Sequence, residues 1–84
     1  MSHTRAHIRI TGPRQAAEFV GKINSDGTTT KYMIENADGS IRVSARSLLG
    51  VIYASEDFED TMFFVNDTTE GELPSIIDPY RVIA

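Results

Sequence analysis

One serine, Ser47, occupies the position in this sequence that is best suited to chemical modification. It follows alternating residues 43–45 and Arg46, and it precedes an uncharged apolar segment, residues 48–54. A serine hydroxyl at the start of a helix caps free backbone N–H groups. A phosphate there would face the same groups and the positive end of the helix dipole. The pattern therefore predicts a helix N-cap and leaves open whether Ser47 is also modified.

Other reactive residue types are sparse. The chain contains two histidines, His3 and His7, and no cysteine, which excludes thiolate nucleophiles, disulfides and sulfur-ligated metals. His7 falls on the polar side of an alternating segment, and we interpret it as an exposed strand residue. The acidic run at residues 56–60 lacks the spacing and the glycine of a calcium loop. We therefore expect no catalysis, no metal and no cofactor.

Length and composition favour one globular domain covering residues 1–84. The 84 residues leave room for a single core, and 40% hydrophobic with 24% charged residues is typical of a folded chain. The net charge of -4 disfavours direct nucleic-acid binding, which needs concentrated lysine and arginine. No stretch offers the roughly 20 apolar residues of a membrane helix. We expect a cytoplasmic protein with protein partners and no membrane contact.

Two periodicities divide the chain into strands and helices. Alternating apolar residues predict half-buried strands, whereas the spacing of apolar residues in 16–23 predicts an amphipathic helix that Asp26-Gly27 closes. Asp38-Gly39 lies between two alternating segments and indicates a hairpin. The predicted strands are residues 6–10, 29–36, 41–45 and 61–66, and the predicted helices are residues 13–25, 48–54 and a turn or two between Pro74 and Pro79.

This element order, β-α-β-β-α-β-α, contains two split βαβ halves. Short right-handed connections between such halves favour an antiparallel sheet with two to three helices on one face. The predicted fold class is therefore α+β, an open-faced β-sandwich. Residues 61–66 are apolar on both faces, which indicates a central strand. We expect Tyr32, Phe63 and Phe64 in the core, and the environment of Tyr53 stays open.

Two segments resemble HPr, the small phosphocarrier family of the bacterial sugar phosphotransferase system. Residues 14–20 (RQAAEFV) are similar to the opening of that family's first helix, and residues 44–51 (SARSLLGV) are similar to its regulatory-serine segment. Element order and length agree over nearly the whole chain, whereas the tail after Glu70 agrees poorly. The resemblance implies the family's sheet, with strand order 1-4-2-3.

In that family a phosphorylatable histidine caps the first helix, and an arginine two residues later helps to hold the phosphate. The resemblance puts Arg14 at the arginine and Gly12 at the histidine, so the phosphoryl acceptor is absent at this position. HTRA at residues 3–6 echoes the family's active-site string but precedes the first strand. Phosphoryl transfer through His3 is the alternative that this echo leaves open.

The same resemblance puts Ser47 at the family's second phosphorylation position. It implies a partner surface around it, formed by Arg46, Leu48, Leu49 and Ile52, and Arg14, at the start of the first helix, is a further candidate for partner binding. Loss of the histidine with retention of the serine resembles the catabolite-repression paralogues of HPr. The implied partners are an HPr serine kinase and a carbon-catabolite transcription regulator.

A second interpretation needs no modification of Ser47. The serine is then only a helix cap, and the chain is a degenerate domain retained as an interaction module. In this version it forms a weak homodimer, because Pro74 and Pro79 shorten the third helix and leave part of the sheet uncovered.

Overall fold

The computed structural model describes residues 5–68 and 72–82, and within them it contains four strands and two α-helices. The chain also forms one 3₁₀ helix near its end. In chain order the elements are β1 (Arg5–Ile8), α1 (Gly12–Asn24), β2 (Tyr32–Glu35), β3 (Arg42–Ser44), α2 (Leu48–Asp57), β4 (Met62–Asn66) and the 3₁₀ helix (Ser75–Tyr80). The strands form one antiparallel sheet in the order β1-β4-β2-β3. The predicted α+β fold and strand order are confirmed.

The core lies between the helices and one face of the sheet. Strand residues alternate between faces, and only one set, with Ile8, Ile34 and Phe64 among its members, joins the core cluster. β4 runs between β1 and β2, which confirms the prediction of a central strand. The largest fully buried side chains are Phe19, Phe64, Ile8, Ile23, Ile34, Met62, Ile77, Val51 and Val65.

The prediction that Phe63 belongs to the core is wrong. Phe63 lies opposite His7 of β1 and Glu35 of β2, on the face of the sheet that points away from the core. It is half-buried, and its ring stacks on the His7 imidazole at 5.0 Å. The run of apolar residues in β4 marks a central strand, but it does not show that both faces are covered by helices.

The loop between α1 and β2 is longer than predicted. α1 ends at Asn24, and β2 begins at Tyr32 instead of Thr29. The carboxylate of Asp26 accepts the backbone N–H and the hydroxyl of Thr28, both at 2.9 Å, in an Asx-type turn. These polar side chains bond locally, so the threonines form a turn although their β-propensity is high.

The strand predicted at residues 41–45 is also shorter in the structure. Asn36 accepts the backbone N–H of Ile41 through its side chain, and its own N–H donates to the Ile41 carbonyl. Ile41 therefore belongs to the turn and is exposed, while β3 covers only Arg42–Ser44. The turn contains Gly39 at φ +75, a conformation that favours glycine.

The C-terminal segment packs against two parts of the fold, the helix α1 and the outer edge of β1. The 3₁₀ helix buries Ile77 and Tyr80, and the Tyr80 ring packs edge-on against Phe19 at 5.0 Å. The Tyr80 hydroxyl donates to Glu18 at 2.6 Å. Beyond it, Arg81 forms a bridge with Ile8 along the outer edge of β1. This short helix agrees with the predicted turn or two, and the segment also covers a sheet edge.

Helix α2 packs closely on β3, and Gly50 makes this approach possible. A Cβ at Gly50 would lie 3.2 Å from the Val43 Cβ and 3.4 Å from the Ser44 carbonyl oxygen. The absence of a side chain there compensates for the poor helix propensity of glycine, about 1 kcal/mol relative to alanine. Neither α-helix in the described part of the chain has the length and apolar content that a membrane crossing requires.

We expect Gly50→Leu to lower the free energy of unfolding by about 1–3 kcal/mol, because the new side chain overpacks the contact between α2 and β3. The matched control is Gly21→Leu, also inside a helix, where an added Cβ meets nothing within 4 Å. That variant should leave stability unchanged or raise it. Urea denaturation followed by circular dichroism measures both, and equal effects of the two substitutions would contradict the close approach at Gly50.

Candidate functional site

Ser47 is the N-cap of α2 and is exposed. Its backbone is extended, with φ -102 and ψ 119, and its hydroxyl oxygen accepts the Gly50 N–H at 3.2 Å. Its carbonyl accepts the Val51 N–H at 2.9 Å, which begins the helical hydrogen bonding. The hydroxyl therefore satisfies one of the free N–H groups of the first turn. The predicted N-cap is confirmed, and the side chain stays accessible to solvent.

The residues that follow Ser47 form an exposed apolar surface. Leu49 is 80% exposed, Leu48 is 42% exposed and Tyr53 is 40% exposed. Val51 and Ala54 are fully buried on the opposite side of the helix, against the sheet. A helix this short cannot bury both sides, so the leucines face solvent. We call Ser47, Leu48, Leu49 and Tyr53 the α2 patch.

Ile52 differs from the other apolar residues predicted at this surface. It is half-buried and packs against the core cluster, whereas Leu48 and Leu49 are exposed. Tyr53 takes the outward place that the sequence interpretation gave to Ile52, because it lies one turn after Leu49 on the same face.

Arg46 binds its own chain. Its guanidinium donates to the Thr30 carbonyl and the Ile23 carbonyl, both at 3.0 Å. It also donates to the side chains of Asn24, Asp26 and Thr28, at 3.2–3.4 Å. These five acceptors match the five N–H groups of arginine. The group also lies over the Tyr32 ring at 5.2 Å, so Arg46 is not part of the α2 patch.

The Arg46 network fixes where α2 begins. It joins the last turn of α1 to the loop before β2, and the Asn24 amide donates back to the Arg46 carbonyl at 3.2 Å. The Thr28 N–H, followed by the Thr28 hydroxyl and Arg46, lowers the pKa of Asp26, although partial burial opposes them. The carboxylate therefore stays charged as a partner of the guanidinium. Ser47 follows directly from this anchored residue.

The Gly12 position at the start of α1 carries no side chain that could accept a phosphoryl group. Gly12 is the first residue of the helix at φ +84, where an L side chain would be strained although nothing lies within 4 Å of it. The Gln15 side chain accepts the Thr11 N–H at 2.6 Å. Arg14 is exposed, and among the described residues it has no ion pair. The structure therefore brings no acceptor group to the predicted histidine position.

The described histidine, His7, lies on β1 and not on α2. The predicted alternative site at His3 lies outside the described residues. His7 is on the outer face of β1, half-buried, where its Nε2–H donates to the Asp60 carbonyl at 2.5 Å. In residues 5–68 and 72–82 no three metal-ligating side chains of histidine, aspartate or glutamate come together.

The geometry of the α2 patch suits recognition. Among the described residues the hydroxyl of Ser47 has one hydrogen-bond partner, a backbone N–H, and no base that could activate it as a nucleophile. An exposed hydroxyl beside exposed leucines can instead be modified and bound by another protein.

Comparison of the chain with protein-family models, with curated proteins and with solved structures gives no match. The relation to the phosphocarrier family therefore remains a prediction.

We expect Arg46→Ala to lower the free energy of unfolding by about 2–3 kcal/mol, because it leaves the acceptors in the last turn of α1 and in the loop after it without their charged donor. Arg46→Lys should recover only part of this loss, since an ammonium group cannot bond to five acceptors in one plane.

The control is Arg14→Ala, an exposed arginine without an ion pair among the described residues, which should change stability by less than about 0.5 kcal/mol. Guanidinium denaturation of the three variants gives the comparison. An Arg46→Ala variant as stable as the Arg14→Ala control would show that the network is not needed to hold the α2 N-terminus.

Proposed function

We propose that this chain is a non-catalytic, HPr-like regulatory protein of the sugar phosphotransferase and carbon catabolite system. It acts in the cytoplasm by binding protein partners through the α2 patch, and phosphorylation of Ser47 controls the binding. The observation that carries the proposal is the position of Ser47, an exposed helix cap beside Leu48 and Leu49. Three of the four exposed large apolar side chains of the described chain lie on α2.

The environment of Ser47 supports phosphorylation that preserves the fold. The hydroxyl already points at the first-turn N–H groups, so a phosphate would lie at the positive end of the α2 dipole. Close to two negative charges there improve the electrostatics of the helix. The modification therefore changes the charge of the patch beside Leu48 and Leu49 and leaves the packing of α2 intact.

The start of α1 supports the non-catalytic part of the proposal. Gly12 carries no acceptor, and its positive φ disfavours any residue that could. Arg14, exposed at the same end of α1, is available to an acidic partner group. With the histidine site lost, regulation through Ser47 is the function of the family that this chain retains.

The implied partners follow from the family resemblance and from the chemistry of the patch. An HPr serine kinase would modify Ser47, and a catabolite transcription regulator would bind the modified form. Leu48 and Leu49 provide the apolar contact, together with the half-buried Ile52, and the phosphate adds a charged group that arginine side chains recognise.

To test the proposal, the purified chain is incubated with an HPr serine kinase and ATP, and its intact mass is measured. We expect one added phosphate, because Ser47 is exposed at its helix cap. Ser47→Ala should remain unlabelled. Ser55→Ala, which removes a hydroxyl that donates to the Ile52 carbonyl within the same helix, should be labelled like the parent.

Circular dichroism of the phosphorylated chain should show no loss of helix. Absence of labelling, in a reaction in which a normal HPr control is labelled, would eliminate the phosphoserine proposal. Labelling that persists in Ser47→Ala would move the site to another serine.

The alternative function is an unphosphorylated interaction module that associates with itself. The same exposed side chains favour it, since Leu49 at 80% exposure is costly to leave in water. In this version the leucines of two copies pack together across a twofold axis. A kinase is then not required.

If this alternative holds, light scattering should show a mass that rises with concentration, and Leu49→Gln should restore a monomer without changing stability. Leu48→Gln should act in the same direction but less strongly, because Leu48 is half as exposed. The control is Ile41→Gln, an exposed apolar residue outside α2. A monomer at every concentration would contradict self-association and leave the phosphoserine proposal standing.

A further inference from the structure

The face of the sheet that points away from the helices forms a second surface. We call it the open face. In the described part of the chain, none of its residues joins the core cluster between the sheet and the helices. By the strand alternation its members are Arg5, His7, Phe63, Val65, Met33, Glu35, Arg42 and Ser44. The open face lies on the opposite side of the sheet from α2 and is independent of the proposed function.

Charged side chains on the open face are arranged in two layers. The carboxylates of Glu35 and Asp67 form the inner layer and are 13% and 17% exposed. Arg5 pairs with Glu35 at 3.1 Å, and Arg42 bridges Glu35 at 3.2 Å and Asp67 at 2.8 Å. Lys31 lies 3.7 Å from Asp67. These cations are 34–68% exposed, so the surface that meets solvent is positive.

Charge is divided unevenly between the open face and the rest of the molecule. Four of the eight lysines and arginines lie on this face or at its margin, where Arg9 follows β1. Of the eleven acidic residues that the structure describes, only three lie there, and the third, Asp60, pairs with Arg9 at 2.6 Å. The remaining surface is therefore strongly acidic. An approaching anionic group is therefore attracted to the open face more strongly than to the rest of the surface.

The aromatic ring on this face is already covered. The Arg5 guanidinium lies 4.0 Å from the centre of the Phe63 ring, and the His7 ring stacks on it at 5.0 Å. Bases of a single strand need free aromatic faces for stacking, and a long phosphate backbone would extend from this patch onto acidic surface. These contacts favour a short acidic segment of a protein over a nucleic acid.

We propose that the open face binds an acidic segment of a partner protein. Carboxylates of the segment lie over the guanidinium groups of Arg5 and Arg42 and reach Lys31 and Arg9 at the margins. Arginines that already neutralise carboxylates beneath them are held in fixed positions. They therefore lose little side-chain conformational entropy when they bind a second carboxylate. Charge complementarity then determines which partner is accepted.

The probe is a fluorescein-labelled decaglutamate peptide, titrated with the intact chain in about 20 mM salt and followed by fluorescence anisotropy. We expect saturable binding that weakens at least about tenfold at 150 mM salt, because exposed charges are screened. Arg9→Gln/Lys31→Gln should bind about tenfold more weakly. Both side chains are largely exposed, and Arg5 and Arg42 continue to neutralise the inner carboxylates.

The matched control is Lys22→Gln/Arg81→Gln, which removes the same charge from two residues that are not members of the open face, one on α1 and one after the 3₁₀ helix, and should bind within about twofold of the parent. Thermal denaturation establishes that each double variant is folded. Absence of binding, or equal loss in both double variants, would overturn the proposal. If a labelled oligothymidylate bound more tightly than the decaglutamate peptide, the proposal would also be overturned, and the ligand of the open face would be a nucleic acid. Concentration-dependent association that only the Arg9→Gln/Lys31→Gln variant loses would instead identify a second copy of this chain.

Discussion

The guanidinium of Arg46 is the interaction on which the arrangement of the helices depends. α1 and the loop that follows it supply acceptors 16–23 residues before Arg46, and this group joins them to the start of α2 through five hydrogen bonds. A half-buried arginine is costly to desolvate unless every N–H finds an acceptor. Here the Ile23 carbonyl and the Asn24 side chain, in the last turn of α1, accept two of these N–H groups, and a cation at a helix C-terminus is favourable. Because Ser47 is the next residue, its position depends on this contact.

The second constraint is the thinness of the fold. One layer of helices covers one face of the sheet, so each strand has an apolar side that faces the helices and a side that must be compatible with water. On the open face Phe63 is covered by the Arg5 guanidinium and the His7 ring, so that the apolar side chain is shielded while the charge of Arg5 remains at the surface. The outer side of α2 has the same problem without the same solution. No second layer of helices covers it in the described structure, so Leu49 remains exposed.

The fold was predictable because local signals agree with one another. Alternation, helical spacing and the hairpin at Asp38-Gly39 give the element order, and the order leads to the antiparallel sheet. The roles of individual side chains were less predictable from the sequence. Nothing local indicates that Arg46 bonds residues 16–23 positions earlier, or that Phe63 faces arginines, because both depend on which strands become neighbours. The position of Tyr53 on the exposed surface could have been predicted, because its spacing from Leu49 places the two on one helix face.

Gly50 connects the two roles that the sequence left open for Ser47. Its missing side chain lets α2 approach β3, and its N–H is the donor that the Ser47 hydroxyl accepts. The cap and the close packing therefore hold the same turn from two sides. Addition of a phosphate to Ser47 would place charge where that turn is already fixed and N–H groups are already oriented, so little conformational entropy remains to be lost. A cap serine of this kind can serve stability and signalling together, and its value as a cap is no argument against its modification.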